Sequence, residues 1–504
     1  MTFISYEFLI LLAIVLIGCW TLSHRSTNWF LLAVSYVFYG WWDWRFLGLL
    51  LLSSLVDYVC GRLIDGRVPD HRRIDVLAVS LSVNLGLLLT FKYFEFFHES
   101  FAQAMHSLGI EIGRPWFQVI LPVGISFYTF QTLSYTIDVY RRKIHATDRL
   151  IDFMLYVSFF PQLVAGPIER ASHLLPQIMH PRHIRWDAVS SGAQLVLVGF
   201  FKKMVIADNL APIVDSAYKI SGGANVIENG LMILIATYAF AFQIYCDFSG
   251  YTDIARGVAR MIGFDLCLNF RLPYFATNPS DFWRRWHISL STWFRDYVYI
   301  PLGGNRDSGS LRLRNLIIVM FLAGLWHGAS WNFVIWGLYH GFLLVVFHLA
   351  SRNLANLNLA NLNLANLNLA NLNLASRHDL PTQAQSNVQP GWLFWLKAFG
   401  FFQLTCIGWL IFRVESLNQF LQMAGCLIDL RTWNLSTIDA TTIYPLLLLS
   451  LPLVAFQVYQ HRRDHLEPWI QWPFALRVVF YLTLFYGIVL LGTPENNEFI
   501  YFQF

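Results

Sequence analysis

Two histidines carry the chemistry open to this chain. His327 lies inside the apolar, aromatic run FLAGLWHGASWNFVIWGLYHG, residues 321–341, and His287 lies forty positions upstream in NFRLPYFATNPSDFWRRWHISLSTWFRDYVYIPLGGNR, residues 269–306. Imidazole changes charge near neutral pH, so proton transfer and hydrogen bonding are what such a side chain offers. In an apolar run it is also expensive. Buried without partners it costs about 2 kcal/mol or more, and an ionisable group at membrane depth is a functional-site hypothesis by default. The bland alternative for His327 is a packed histidine bonded to a neighbouring helix. A turn, Pro301-Leu302-Gly303-Gly304-Asn305, separates the two histidines and lets them meet at a common cavity, although spacing alone does not require it.

The elements that must position them are partly legible. Asn278 can cap a helix, Pro279 suits its first turn and Asp281 takes the capping-box position, so a helix is predicted to start here. Along it Trp283, Arg284, His287, Leu290, Ser291 and Phe294 share one side, with Trp286 and Trp293 on the other. An arginine- and tryptophan-rich helix suits the membrane interface, where Arg284, Arg285 and Arg295 reach headgroups or a phosphate-bearing donor. Taken singly, the arginines read as headgroup anchors. Two further strings stand out. PQLVAGPIER, from Pro161 to Arg170, reads as a re-entrant turn broken by two prolines, and CDFSGYTDIARG, from Cys246 to Gly257, carries Asp247 and Asp253. Two carboxylates with no histidine or further oxygen ligand nearby make a poor metal site, and local hydrogen bonding or pairing with arginine is the better reading, so no metal is expected.

With 504 residues, 56% hydrophobic, 17% aromatic and 13% charged, the chain falls outside soluble composition and is predicted to be a polytopic, all-α integral membrane protein. Apolar stretches long enough to cross a ~30 Å hydrocarbon core recur at 5–23, 28–41, 44–60, 74–97, 117–138, 188–207, 230–246, 315–349, 392–412, 441–460 and 474–492. The 315–349 run is long enough for two helices. About 11–13 hydrophobic helices, some re-entrant, are expected. The first stretch has no basic n-region and is expected to be a membrane helix, not a cleaved signal. Six cysteines without CxxC spacing read as small core residues. Net charge is only +4, but basic residues cluster, and such clusters mark cytoplasmic loops. Arg62, Arg67, Arg72 and Arg73, then Arg141, Arg142 and Lys143, and finally Arg462 and Arg463 are predicted inside, which puts both termini outside. Short juxtamembrane clusters give no support to nucleic-acid binding, and the lipid bilayer is the expected surroundings.

A single domain is expected over 1–504. Residues 1–140 read as ordinary spanning helices, whereas 141–341 mix apolar helices with Pro, Gly, Arg and aromatic residues and form the expected catalytic core region. Residues 355–375 repeat Ala-Asn-Leu-Asn-Leu four times. The pattern is similar to pentapeptide repeats, but four pentads make too little of a coil to bury a core, so 351–391 is predicted to be a low-complexity cytoplasmic linker.

Taken together, the Pro161–Arg170 string, the Cys246–Gly257 string, Trp286-His287 and Trp326-His327-Gly328 resemble the membrane-bound O-acyltransferase (MBOAT) family, in particular its bacterial alginate O-acetylation branch. The resemblance covers essentially the whole chain, including Phe499-Ile500-Tyr501-Phe502-Gln503-Phe504; the pentad segment departs from the family pattern. It implies helices around a central funnel or tunnel and a catalytic pair, with Trp326-His327-Gly328 the catalytic-histidine signature and His287 its upstream polar partner.

The reaction so implied is O-acetyl transfer from a cytoplasmic thioester, acetyl-CoA, across the membrane to an envelope or extracellular polysaccharide such as alginate. His327 would act as general base on the attacking hydroxyl, and His287 would orient the thioester or acceptor or stabilise oxyanion charge. Arginines 284, 285 and 295 would dock the donor. No bound cofactor is implied. The expected partner is a periplasmic or membrane-anchored SGNH-type acetyltransferase that holds the polysaccharide acceptor, in the inner membrane of a bacterium. Two alternatives stay open: D-alanyl transfer to a teichoic acid-type polymer, and a non-enzymatic polysaccharide transporter, against which the chain shows no pair of matching halves. An intramembrane hydrolase has no support, because neither a Gly-x-Ser-x-Gly elbow nor a His-Glu-x-x-His pair is present.

Overall fold

The computed structural model describes residues 1–113, 115, 119–164, 166–218, 228–306, 309–369, 391–493 and 499–500, with backbone alone at 353–369, 437 and 441. Among these the chain is helical, without a strand. Nine helical runs are long and apolar enough to cross a membrane: His24–Ile64, Asp70–Ser107, Trp186–Tyr218, Gly230–Met261, Gly309–His327, Trp331–Arg352, Trp392–Arg413, Thr442–Arg463 and Phe474–Leu491. The protein is a polytopic membrane protein, as its composition demands.

Nine counts runs of spanning length, whereas the 11–13 expected hydrophobic helices include shorter and divided ones. Stretches 28–41 and 44–60 fall in one run, which an extended Asp43 and a tight turn over Trp44–Phe46 divide into helices of 20 and 18 residues, each long enough to span. The first apolar stretch forms the 16-residue helix Tyr6–Thr21, and stretch 117–138 contributes the 16-residue helix Ile125–Tyr140, buried along almost all its length. The 315–349 run does divide into two helices, at His327 and Trp331.

Close backbone approach explains the glycines of the sequence strings. Trp186–Phe200 packs antiparallel to Gly230–Met261 with Gly199 against Gly250 and Gly192 against Gly257; a Cβ on Gly199 or Gly257 would stand 2.6 Å from the facing carbonyl oxygen. Small residues at this spacing are how helices pack tightly where lipid supplies no hydrophobic drive. The hairpin carrying His327 uses the same device. A Cβ on Gly324 would lie 2.2 Å from the Phe333 carbonyl oxygen. Polar residues also join helices: buried Asp57 accepts hydrogen bonds from Asn84 Nδ2 at 2.8 Å, Thr136 Oγ1 at 3.2 Å and Ser80 Oγ, tying Leu47–Ile64 to Arg73–Leu88 and Ile125–Tyr140.

The helix beginning at Trp331 continues through Leu369, so the repeat as far as that residue is helical backbone where an open linker was expected. Alanine and leucine favour a helix and asparagine disfavours it only mildly, so the preceding span can propagate into the repeat. Residues 370–390 of the predicted linker lie outside the described residues.

Candidate active site

His287 stands at a break in the chain. Asn278 caps a helix as predicted, its Oδ1 accepting the Asp281 N–H at 2.8 Å, but that helix lasts one turn, Pro279–Phe282. His287 then adopts a left-handed backbone at φ 43°, and a second helix runs Ile288–Phe294. The single continuous helix face expected for Trp283 through Phe294 is therefore absent. Tertiary hydrogen bonds override local propensity here: the Ile288 N–H donates to the Asn269 carbonyl and the Arg271 N–H to the Arg285 carbonyl, both at 2.9 Å. A non-glycine residue in this conformation costs about 1–2 kcal/mol and persists where its surroundings over-determine it.

Those surroundings orient the ring. Asn269, fully buried, accepts the Ser289 N–H at 3.2 Å and the Ser289 hydroxyl at 2.7 Å on Oδ1, and His287 Nδ1 lies 3.2 Å from the same oxygen. A backbone N–H only donates, so the amide atom facing it is the oxygen and His287 supplies Nδ1–H to it. In the neutral ring this leaves Nε2 as the proton acceptor. Ser289 Oγ in turn accepts the Ile168 N–H at 3.0 Å, bringing the Pro161–Arg170 string to the site. The Cys246–Gly257 string arrives through Phe248, whose ring meets His287 edge-on at 4.8 Å between centroids.

His327 ends the Gly309–His327 helix and is 3% exposed. Its ring lies 4.9 Å from Trp336 and 5.5 Å from Phe412, edge to face with both, and 6.3 Å from the His287 ring. The two histidines predicted to meet thus share one aromatic enclosure. At that separation two imidazoles can address one reacting centre from different sides.

The helix end is held from behind by residues not singled out in the sequence. A wide π turn over Leu89–Tyr93 presents consecutive side chains to consecutive carbonyls: Tyr93 OH donates to Leu325 O at 2.8 Å, and Lys92 Nζ to Trp326 O at 2.5 Å and His327 O at 3.3 Å. Lys92 also donates to Ser126 Oγ at 3.3 Å and lies 5.8 Å from the Trp326 ring centre. A cation at a helix C-terminus satisfies orphan carbonyls and opposes the negative end of the dipole. The signal was available, since a lysine within the 74–97 apolar run is as anomalous as His327. His340 was missed likewise. It is 1% exposed, one more imidazole in the same run, with its ring 4.7 Å from Trp336 and 5.2 Å from Trp283. Asn269 gave no such signal, because its role depends on a fold-back that no local pattern announces.

A cavity of 570 Å³ is lined by Lys92, Ser330, Asn332, Phe333, Phe412 and Glu415, and it neighbours His327 through Phe412, whose ring packs on the imidazole, and Lys92, which bonds the His327 carbonyl. The arginines proposed for donor docking lie elsewhere on the His287 segment. Arg284 is exposed, Arg285 pairs with Asp281 at 3.0 Å and Arg295 with Asp296 at 2.7 Å. Asp247 and Asp253 pair with Lys203 at 2.6 Å and Lys202 at 2.7 Å, so the carboxylates are engaged by lysines more closely than by an arginine, Arg256 lying 3.8 Å from Asp253.

Comparison with known proteins decides the family. The model of MBOAT, the membrane-bound O-acyltransferase family, matches residues 75–367. The chain belongs to the membrane-bound O-acyltransferase family. It is 38% identical to "Probable alginate O-acetylase AlgI" of Azotobacter vinelandii over 93% of this chain and 86% of that protein. It is 32% identical to "Peptidoglycan O-acetyltransferase" of Helicobacter pylori, over 80% and 73% of the two chains. A more distant likeness, 28% over 47% of this chain and 61% of the relative, is to "Teichoic acid D-alanyltransferase" of Bacillus subtilis. Membership of the membrane-bound O-acyltransferases makes the protein a transferase acting on hydroxyl groups and sets aside the transporter reading.

Proposed function

We propose that this membrane-bound O-acyltransferase passes an acetyl group from cytoplasmic acetyl-CoA to the O-acetylation of an envelope or extracellular polysaccharide of the alginate type. The observation that carries the reading is the pair of buried imidazoles, 6.3 Å apart, in an aromatic enclosure beside a 570 Å³ cavity. His327 is the general base: it takes the proton of the attacking hydroxyl, the oxygen bonds to the thioester carbonyl carbon, the C–S bond breaks, and the proton passes to the leaving thiolate. Positioned base help of this kind is worth about 10² to 10⁴ in rate. His287, with Nδ1–H committed to Asn269, offers Nε2 as acceptor to a second hydroxyl of the acceptor sugar and so orients the attacking one toward His327. Arg284 and Arg295 are both exposed, and Arg284, the one of the three without a carboxylate partner among the described residues, is left for the donor's phosphates. The cavity beside His327 receives the acceptor, presented by an SGNH-type acetyltransferase outside the membrane, with both termini on that side and the Arg462-Arg463 cluster within.

Names of relatives at 38% and 32% identity over most of the chain support acetyl transfer, and the D-alanyl reading has a shorter, weaker likeness behind it. The test supplies membranes containing the protein with [14C]acetyl-CoA or with a D-[14C]alanyl carrier thioester and follows label into base-labile esters of envelope polymer. Acetyl label dependent on the protein is the expected result. Label entering from the D-alanyl donor alone would replace this reading with its alternative.

A further inference from the structure

A second cavity, of 460 Å³, lies beyond the active site. Phe270 lines it and Phe248 stands between Phe270 and His287, with centroid separations of 5.0 Å and 4.8 Å, so two rings divide it from the histidines. Its walls are apolar and come from three spans, through Leu195, Val198, Leu448, Leu453, Phe456 and Leu484. Leu484, the one fully buried residue of Phe474–Leu491, lines the cavity with Phe480, Thr483 and Leu491, so a helix whose opposite side is exposed closes the cavity there.

The inner wall is different in kind. Lys202, Thr252, Asp253 and Arg256 line it, and the Lys202 and Arg256 ammonium and guanidinium groups share the single carboxylate of Asp253, at 2.7 Å and 3.8 Å. Glu467 also lines the cavity but is neutralised by a bidentate pair with Arg260 at 2.8 Å and 3.0 Å. The cavity wall therefore carries a net positive charge. Thr252 Oγ1 and Arg256 Nε, one helical turn apart, are buried without a hydrogen-bond partner among the described residues, and Thr252 is 2% exposed. Buried polar atoms are almost always satisfied, so two such groups on one cavity wall point to an occupant that accepts hydrogen bonds. Along Thr442–Arg463 the lining runs from Leu448 to Gln460, about 18 Å at the helical rise, close to half of a ~30 Å hydrocarbon core.

We propose that this cavity holds one anionic phospholipid, an acyl chain along the Leu448–Phe456 wall and the phosphate on Arg256 and Thr252. Apolar walls of one-leaflet length, a net positive end with unmet donors and a lipid-facing helix as the outer wall fit that ligand. The Cys246–Gly257 string then serves twice, since its glycines seat the helix pair while its Thr252 and Arg256 bind the lipid.

The experiment uses full-length protein purified in detergent, stripped of lipid, and returned to phosphatidylglycerol, phosphatidylethanolamine or phosphatidylcholine. Bound lipid is counted by native mass spectrometry, and thermal unfolding is followed in parallel. One retained phosphatidylglycerol per chain and an upward shift in melting temperature are expected. Arg256→Gln should weaken retention about tenfold, the effect of losing one charge-assisted hydrogen bond. Leu453→Trp, which fills the apolar wall and leaves the charged groups intact, should abolish retention while the protein remains folded by circular dichroism. Equal retention of all three lipids, or none by wild type, would overturn the proposal, as would displacement of bound lipid by excess acetyl-CoA, which would make the cavity a donor site.

Discussion

Replacing Lys92 by methionine tests how the helix end that carries His327 is held. The variant keeps the length and apolar stem of the side chain and removes the ammonium that bonds the Trp326 and His327 carbonyls. A hydrogen bond to a charged group is worth about 1.5–3 kcal/mol, and a buried carbonyl left without a donor costs about 1–3 kcal/mol. Besides the bond to Ser126 Oγ, two bonds to this helix end are lost, at 2.5 Å and a weaker 3.3 Å, so the His327 turn is expected to lose about 2–4 kcal/mol of local stability. Part of this appears as displacement of the His327 ring, and a misplacement of about 1 Å can cost 10²-fold in rate. The assay is single-turnover transfer of label from acetyl-CoA in proteoliposomes, with melting temperature measured on the same samples. Turnover should fall about 10- to 100-fold with KM for acetyl-CoA nearly unchanged, and Lys92→Arg, which restores a cation, should recover a substantial part. Tyr93→Phe, losing one neutral bond to Leu325 O, should cost less, about two- to tenfold. Normal turnover in a correctly inserted Lys92→Met protein would refute the claim that this residue positions His327.

Asn269→Ala removes the acceptor that fixes the His287 tautomer and leaves buried Ser289 donors unmet; about 10- to 100-fold loss of turnover is expected, with Asn269→Asp restoring more than Asn269→Leu. Gly324→Ala should destabilise by at least about 1–3 kcal/mol in a thermal melt, because its Cβ meets the Phe333 backbone at 2.2 Å and a backbone cannot yield as a side chain can. The Glu169 carboxylate beside His173, at 2.8 Å, holds that imidazole above its ordinary pKa near 6.5. A raised folded-state pKa means stability fully present below about 6.5 and lost as pH climbs through the folded value. Melting temperature should therefore drop from pH 6 upward in wild type more than in His173→Gln, and equal slopes would show that the pair contributes nothing.

Membrane character and the histidine pair were legible because lipid makes both unambiguous: long unbroken apolar runs cross lipid as helices, and a polar side chain in such a run is costly enough to need a reason. His287 and His327 do share an enclosure, and each of the four strings read from the sequence lends it a contact, through Ile168, Phe248, Trp286-His287 and Trp326-His327. What escaped was the geometry made by long-range hydrogen bonds. The helix predicted across Asn278–Phe294 breaks because Asn269 and Arg271 compete for its backbone, and sequence periodicity carries no trace of that competition. Which of the 11–13 expected hydrophobic helices cross the membrane was not legible, because window length cannot distinguish a 16-residue helix buried in protein, such as Ile125–Tyr140, from one that crosses lipid. Lys92 and His340 obeyed the same rule that singled out His327, and attention to ionisable residues in each apolar run would have named them.

The central claim is that His327 is the base for acyl transfer. The most direct test is the pre-steady-state transfer of [14C]acetyl from acetyl-CoA by His327→Ala and His327→Gln proteins in sealed proteoliposomes, with insertion and melting temperature matched to wild type. Loss of transfer by about 10² to 10⁴, with donor binding retained, is the predicted result. Transfer at the wild-type rate by either variant would contradict it.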